Sequence, residues 1–282
     1  MEKIKVILSD HQVLFREGIH FILSGEEDYE VTGEASNNEE ALALIETNPP
    51  DIAILGMQNR RLLGPDITRR VKRSAPKVSV ILTIDKKDED LIFAAMKSGA
   101  SACLPKDTDP EYLVETARLT AKGSRPIVEA LLDPDIASKA ITEFDDFAII
   151  GEQVENVLTA LTPEETNILD DIAAGSKLDQ LVAKLNVSEE DVRQHLMEIV
   201  DKLVANDQAR SLIEAAHLIE HAQRNQPSLV RGLVKTLEPT ADYVTKAEFN
   251  ELKKTLTDRL NSLTKNDMKS GRSGRYASPE KS

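Results

Sequence analysis

The first 125 residues alternate short apolar runs with amphipathic stretches, and this alternation restricts the fold more than any other feature of the chain. Lys5-Val6-Ile7-Leu8, Tyr29 to Gly33, Asp51-Ile52-Ala53-Ile54-Leu55, Val78 to Thr83 and Ala102-Cys103-Leu104 each have the length of a strand. Such short, nearly unbroken apolar runs suit strands covered on both faces. Between them, Val13, Leu14, Ile19, Phe21, Ile22 and Leu23 fall near helical spacing. Ser36-Asn37-Asn38-Glu39 has a capping-box pattern with Ser36 as the N-cap. Asp88 to Ser98 reads as a helix closed by Gly99, and Thr108-Asp109-Pro110-Glu111 opens the last helix with a proline in its first turn. Five strands alternating with five helices predict a doubly wound, five-stranded parallel sheet whose functional edge lies at the strand carboxyl ends. Ser9, Asp10, Gly56, Thr83 and Lys106 fall at that edge.

The segments ILSDHQVLFREGI, PDIAILGMQNRRLLG, VILT and GASACLPKD resemble the receiver domain of NarL/FixJ-type response regulators, over roughly residues 3–122. The resemblance implies an acidic pair that binds Mg²⁺ after the first strand and a phosphorylated Asp after the third. It also implies a Ser/Thr and a Lys that sense the phosphoryl group, positions matched here by Thr83 and Lys106. Asp10 keeps one member of the acidic pair, Ser9 stands in place of the other, and Gly56 stands at the phosphoacceptor position. Phosphoryl transfer to a side chain needs a nucleophile and a cation to neutralise the oxygens. Glycine supplies no nucleophile, and one carboxylate with one hydroxyl is a poor Mg²⁺ site. Asp51 lies at the wrong end of the same strand to substitute. Cys103 occupies a position where the family often has an aromatic switch residue; its plain reading is a small core residue. Thr83 as a strand end, Lys106 as a surface lysine, and His11 and His20 as ordinary partly exposed side chains are the corresponding plain readings.

Residues 126–160 carry the run Glu143-Phe144-Asp145-Asp146 and read as an acidic interdomain linker with one or two short helices. Thr162-Pro163-Glu164-Glu165 then signals a helix start that ends at Gly175. A short helix over about Leu178 to Leu185 follows, and Asn186-Val187 makes a turn before Ser188 caps a third helix. In that helix Val192, Leu196, Ile199, Val200 and Leu203 form an apolar stripe. A fourth helix is expected over about Asp207 to His221. LTPEETNIL, IAAG, LVAKLNVSEEDVRQHL and IVDKL resemble the LuxR-type helix-turn-helix domain, over residues 161–222. The resemblance implies DNA as the partner, with Lys177, Ser188, Arg193 and Gln194 on the reading surface and His195 at a matched position that a plain packing role also fits. It also exposes a departure: Asp179 and Asp191 stand where the family usually has Lys and Thr, and Glu189 and Glu190 add charge beside them. The plain reading of these acids is that they suit the positive end of a helix dipole.

Charge sharpens the conflict. Of a formal net charge of −14, residues 126–160 contribute −7 and residues 161–222 contribute −8, whereas residues 223–282 contribute +5. Lys and Arg on phosphates supply most DNA affinity, so two outcomes remain open: a transcriptional regulator that binds DNA, or an adaptor whose helix-turn-helix binds a protein. The last sixty residues form an extension. Phe249, Leu252, Leu256 and Leu263 suggest a helix over 223–265, with a short coiled coil that would support a homodimer, and 266–282 read as a disordered basic tail. The single Cys103 excludes an internal disulfide. The absence of Cys/His spacing, a P-loop or a nucleophile–base pair argues against an enzyme, a cofactor or a metal. A protein partner or small-molecule effector at the receiver remains open. The chain has no signal-like or membrane-spanning stretch, so a cytoplasmic location without membrane association is expected.

Overall fold

A computed structural model describes residues 3–57, 62–151 and 158–225. Five strands, β1 (Ile4–Ser9), β2 (Tyr29–Ala35), β3 (Ile52–Gly56), β4 (Ser79–Ile84) and β5 (Ala102–Pro105), form one parallel sheet in the order β2-β1-β3-β4-β5. Every residue of β3 is buried, as its unbroken Ile-Ala-Ile-Leu-Gly run requires of a central strand. One face is covered by α1 (Val13–Ser24) and α5 (Pro110–Ala121), through Ile19, Leu23, Leu113, Val114 and Ala117. The other is covered by α2 (Asn38–Thr47), α3 (Gly64–Ser74) and α4 (Glu89–Lys97), through Ile45, Ile67, Val71, Phe93 and Met96.

That second apolar layer does not end with the sheet. It continues through a 3₁₀ helix (Pro126–Leu132) and α6 (Pro134–Gly151) into α7 (Pro163–Ala173), α8 (Leu178–Leu185) and α9 (Glu189–Asn225). The described residues up to Ser211 therefore pack as one compact unit; the remainder of α9, from Leu212, belongs to a second.

Three expectations need correction. The N-cap of α2 is Asn37 rather than Ser36: Asn37 Oδ1 accepts from the Glu40 amide at 3.0 Å, while the Ser36 amide and hydroxyl donate to the Glu40 carboxylate. The acidic stretch after residue 125 contains an 18-residue helix, α6, where short ones were expected. Phe144 and Phe147 turn inward from the acidic run, edge to face with centroids 6.4 Å apart, and leave Asp145 and Asp146 exposed. Finally, the third and fourth helices are one. Asn206 and Asp207 read as a helix start because their side chains usually compete with the backbone, but here both are engaged elsewhere. Asn206 accepts from the Thr159 amide at 2.7 Å and donates to the Thr159 carbonyl at 2.9 Å, and Asp207 is held by Arg69. With no Gly or Pro between Leu203 and Ser211, the helix runs on. The expected seam at 245–263 and the tail at 266–282 lie outside the described residues. No helix among the described residues is long and apolar enough to cross a membrane.

Candidate functional site

Strand register brings the five pocket residues together. Ser9 pairs with Leu55, Gly56 with Thr83, and Ile84 with Pro105, so Asp10 and Lys106 follow β1 and β5 at the same sheet edge. Asp10 is buried, with Oδ1 accepting from the Gln12 amide at 2.7 Å and Oδ2 2.9 Å from Lys106 Nζ. Lys106 also lies 3.0 Å from Asp85 Oδ1, and its ammonium sits 5.0 Å from the centre of the Phe15 ring. Arg16 donates to the Asp10 carbonyl at 2.8 Å and to Glu34 at 3.0 Å.

Gly56 marks the closest approach in the pocket. A Cβ there would lie 2.8 Å from Asp10 Oδ2, so the carboxylate fills the space through which any side chain at 56 would leave. Beside it, fully buried Asn38 organises the remaining polar groups. Its Oδ1 accepts from the Ser9 hydroxyl at 3.1 Å, and its Nδ2 donates to the Gly56 carbonyl at 3.0 Å and the Leu62 carbonyl at 2.8 Å. Thr83 is buried, and its hydroxyl reaches only the Leu55 carbonyl, at 3.5 Å. Cys103 is a strand residue whose thiol is pushed up to about 12 by burial, so it stays protonated at neutral pH.

These residues do not fit the Mg²⁺ that the resemblance implies. A hard divalent cation needs several oxygen ligands. The one carboxylate faces an ammonium, the Ser9 hydroxyl is turned to Asn38, and the Gly56 carbonyl accepts from the same amide. Among the described residues, no group of three His, Cys, Asp or Glu side chains is placed to hold a metal ion.

The second candidate surface lies at the start of α9. Asn186, at φ +55°, makes the left-handed turn between α8 and α9, and Thr162 and Glu165 form the reciprocal cap of α7. Val192, Leu196, Ile199, Val200 and Leu203 are all buried, as their spacing predicts. The polar residues that face outward are already engaged. Arg193 donates to Glu129 at 2.9 Å and to Glu189 at 3.2 Å, and Gln194 donates to Glu198 at 3.1 Å. The Ser188 amide and hydroxyl donate to Asp191, whose own amide donates back to the Ser188 hydroxyl at 3.1 Å. Hydrogen bonds from the Ser188 hydroxyl and amide hold the Asp191 carboxyl below the usual carboxylate range. Its acidic character therefore serves the helix cap. Lys177 and Asp179 are exposed, and the Lys177 amide donates to the Gln180 side chain at 2.8 Å. His195 is half-buried on the same helix, 4.0 Å from Glu198. Lys184 and Lys202 meet Asp171 and Glu165. Glu129 escaped the sequence reading because its partner is 64 positions away.

The response regulator receiver domain family matches residues 6–118, and the five-stranded parallel sheet and its order agree with that match. The chain belongs to the response regulators. This response regulator is 29% identical over 214 residues to the uncharacterized transcriptional regulatory protein YxjL of Bacillus subtilis, covering 76% of this chain and 95% of that protein. It is 27% identical to the transcriptional regulatory protein DegU of Brevibacillus brevis, covering 76% and 93%. The receiver domain of the putative response regulator NarL from Mycobacterium tuberculosis matches with 30% identity and a TM-score of 0.43, over 44% of this chain and 99% of that one. About a quarter of this response regulator thus lies outside the similarity to its relatives.

The pocket geometry predicts a sign reversal at Gly56. Gly→Ala at a compatible position stabilises by about 0.4–1 kcal/mol through the unfolded chain. Here the new methyl meets a carboxylate fixed by Lys106 and the Gln12 amide, and overpacking of that kind costs about 1–3 kcal/mol. Gly56→Ala should therefore lower the urea unfolding midpoint of the wild type yet raise it in an Asp10→Ala background. The same sign in both backgrounds would show that Asp10 does not fill the space.

Proposed function

We propose that this response regulator acts in transcription as a DNA-binding protein of the cytoplasm, without being switched by phosphorylation. The observation that carries this reading is the Asp10 carboxylate, seated against Lys106 in the space that a side chain at position 56 would need. A receiver built this way has neither the nucleophile nor the cation site for phosphoryl transfer. Incubation with acetyl phosphate and Mg²⁺ should leave the intact mass unchanged; an acid-labile adduct of one phosphate would refute phosphorylation independence.

The buried frame of the helix-turn-helix and the names of the relatives support DNA as the partner. Arg193, Gln194, Lys177 and Ser188 are the contact residues of this reading, and Ser188 contributes chiefly by holding the start of α9, since its amide and hydroxyl both donate to Asp191. A second reading, an adaptor that binds a protein through this surface, draws its support from the two carboxylates that hold Arg193. Solvent-exposed ion pairs contribute about 0.2–1 kcal/mol, so releasing Arg193 from Glu129 is a small cost. Glu129→Gln should raise DNA affinity about two- to fivefold. Asp179→Lys should raise it further and steepen its salt dependence, while Arg193→Ala abolishes sequence preference. Asp191 is a poor substitution site for this purpose, because its loss removes the carboxylate half of the reciprocal cap of α9. If genomic-fragment selection at low salt recovers no sequence-dependent binding with the wild type or with Glu129→Gln, the adaptor reading replaces this one.

Regulators of this build act on paired half-sites as dimers, and self-association is assigned here to the C-terminal extension. Removing residues 240–282 should lower the dimer fraction in analytical ultracentrifugation at tens of micromolar. Equal sedimentation of both chains as monomers would remove the dimer from the proposal.

A further inference from the structure

Cys103 is where the family often has an aromatic switch residue, and Thr83, on the adjoining strand β4, donates to the Leu55 carbonyl of β3. The usual route out of a receiver pocket is thus missing, yet the pocket is mechanically connected to the reading helix by another element. Asn38 donates to the Leu62 carbonyl, two residues before α3 begins, and the Gly64 amide donates to the Met57 carbonyl at 2.8 Å. A Cβ at Gly64 would lie 2.9 Å from the Met57 Cα, so the start of α3 is pressed against the chain leaving β3. One and a half turns along α3, Arg69 makes a two-pronged ion pair with Asp207 of α9, Nε to Oδ2 at 2.6 Å and Nη2 to Oδ1 at 3.0 Å. The Asp207 carboxylate is only 8% exposed. A third bond, from Arg69 Nη1 to Asp66 at 3.1 Å, fixes the guanidinium plane.

The fork matters because of what surrounds it. Val204, one turn before Asp207, comes within 3.6 Å of the Cβ position of Gly99 after α4, and Asp201 is paired with Arg125. These contacts seat α9 along the receiver, but Val204 is held by apolar contact without direction. Planar, bidentate pairing is directional, and α9 is a single helix from its first turn at Glu189 through Asp207.

We propose that α3 is the strut by which the receiver pocket holds the reading helix in place, with Asn38 anchoring its start and Arg69 acting as the positioning residue on α9. This inference does not depend on what α9 binds, DNA or protein.

The test is hydrogen exchange on the full-length protein. Removing one partner of a nearly buried pair leaves the other charge uncompensated, so Arg69→Gln and Asp207→Asn should each speed amide exchange over residues 199–211 by about tenfold or more. β1, β4 and β5 should keep wild-type rates, and the double variant should be no faster than the faster single. Arg69→Lys, which keeps the charge but loses the fork, should fall between. Asn38→Ala should speed exchange in α3 and, through it, in residues 199–211. Arg118→Gln, which breaks an equally elaborate cluster with Asp28, Glu26 and Glu115 on the opposite face, should leave α9 unchanged. Wild-type rates over 199–211 in Arg69→Gln, a rise spread equally over the sheet, or additive effects in the double variant would overturn the role of Arg69. Wild-type rates over 199–211 in Asn38→Ala would overturn the strut.

Discussion

The structure depends on burying one side of the parallel sheet beneath a layer that the sheet's own helices do not finish. The apolar positions of α3 and α4 face the sheet, yet the same layer runs on to Phe147, Ile168, Leu196 and Val204. Hydrophobic burial is non-directional and unites the two halves without fixing their orientation. Orientation comes from the few polar contacts embedded in and around that layer: Arg69 on Asp207, Asn206 on Thr159, and Lys97 on Glu143 at 2.8 Å. Glu143 is also 3.6 Å from Arg210, so one acidic residue of α6 faces basic residues from both α4 and α9.

This arrangement changes the meaning of the negative charge after residue 125. On a linear count, −8 over residues 161–222 opposes nucleic-acid binding. In three dimensions much of it has a partner: Glu165 holds Lys202 beneath α7, Asp171 holds Lys184, Asp207 holds Arg69, and Asp191 caps its own helix. The same pairing takes up the basic side chains, Arg193 included. Most of these pairs lie within the segment and are already in its net charge, so the local field at the start of α9 rests on the exposed Asp179 and Glu190 rather than on the total.

The strands, the sheet order class and the pocket set were legible because apolar runs in alternating architecture leave few choices, and Ser9, Asp10, Gly56, Thr83 and Lys106 all stand at the predicted edge. The caps of α7 and α9 were legible because Thr162–Glu165 and Ser188–Asp191 close over three residues. What escaped depends on distant partners. Asn206 and Asp207 look like a helix start until Thr159, 47 positions away, and Arg69, 138 positions away, are in contact with them. Asn38 looks like one more polar residue of a cap until Ser9, Gly56 and Leu62 converge on its amide. The shift of the α2 cap from Ser36 to Asn37 has the same origin, since an inward Asn38 belongs inside the helix.

The space beside Gly56 also bears on the history of such a pocket. Glycine and aspartate codons differ by one base, so a carboxylate at this position is a single mutational step away. That step would set a second carboxylate against Asp10 Oδ2, whose present neighbour is the Lys106 ammonium. Like charges at such separation force one group to stay protonated or to move. A carboxylate introduced at position 56 alone therefore meets an occupied site, and it needs Asp10 or Lys106 to move with it.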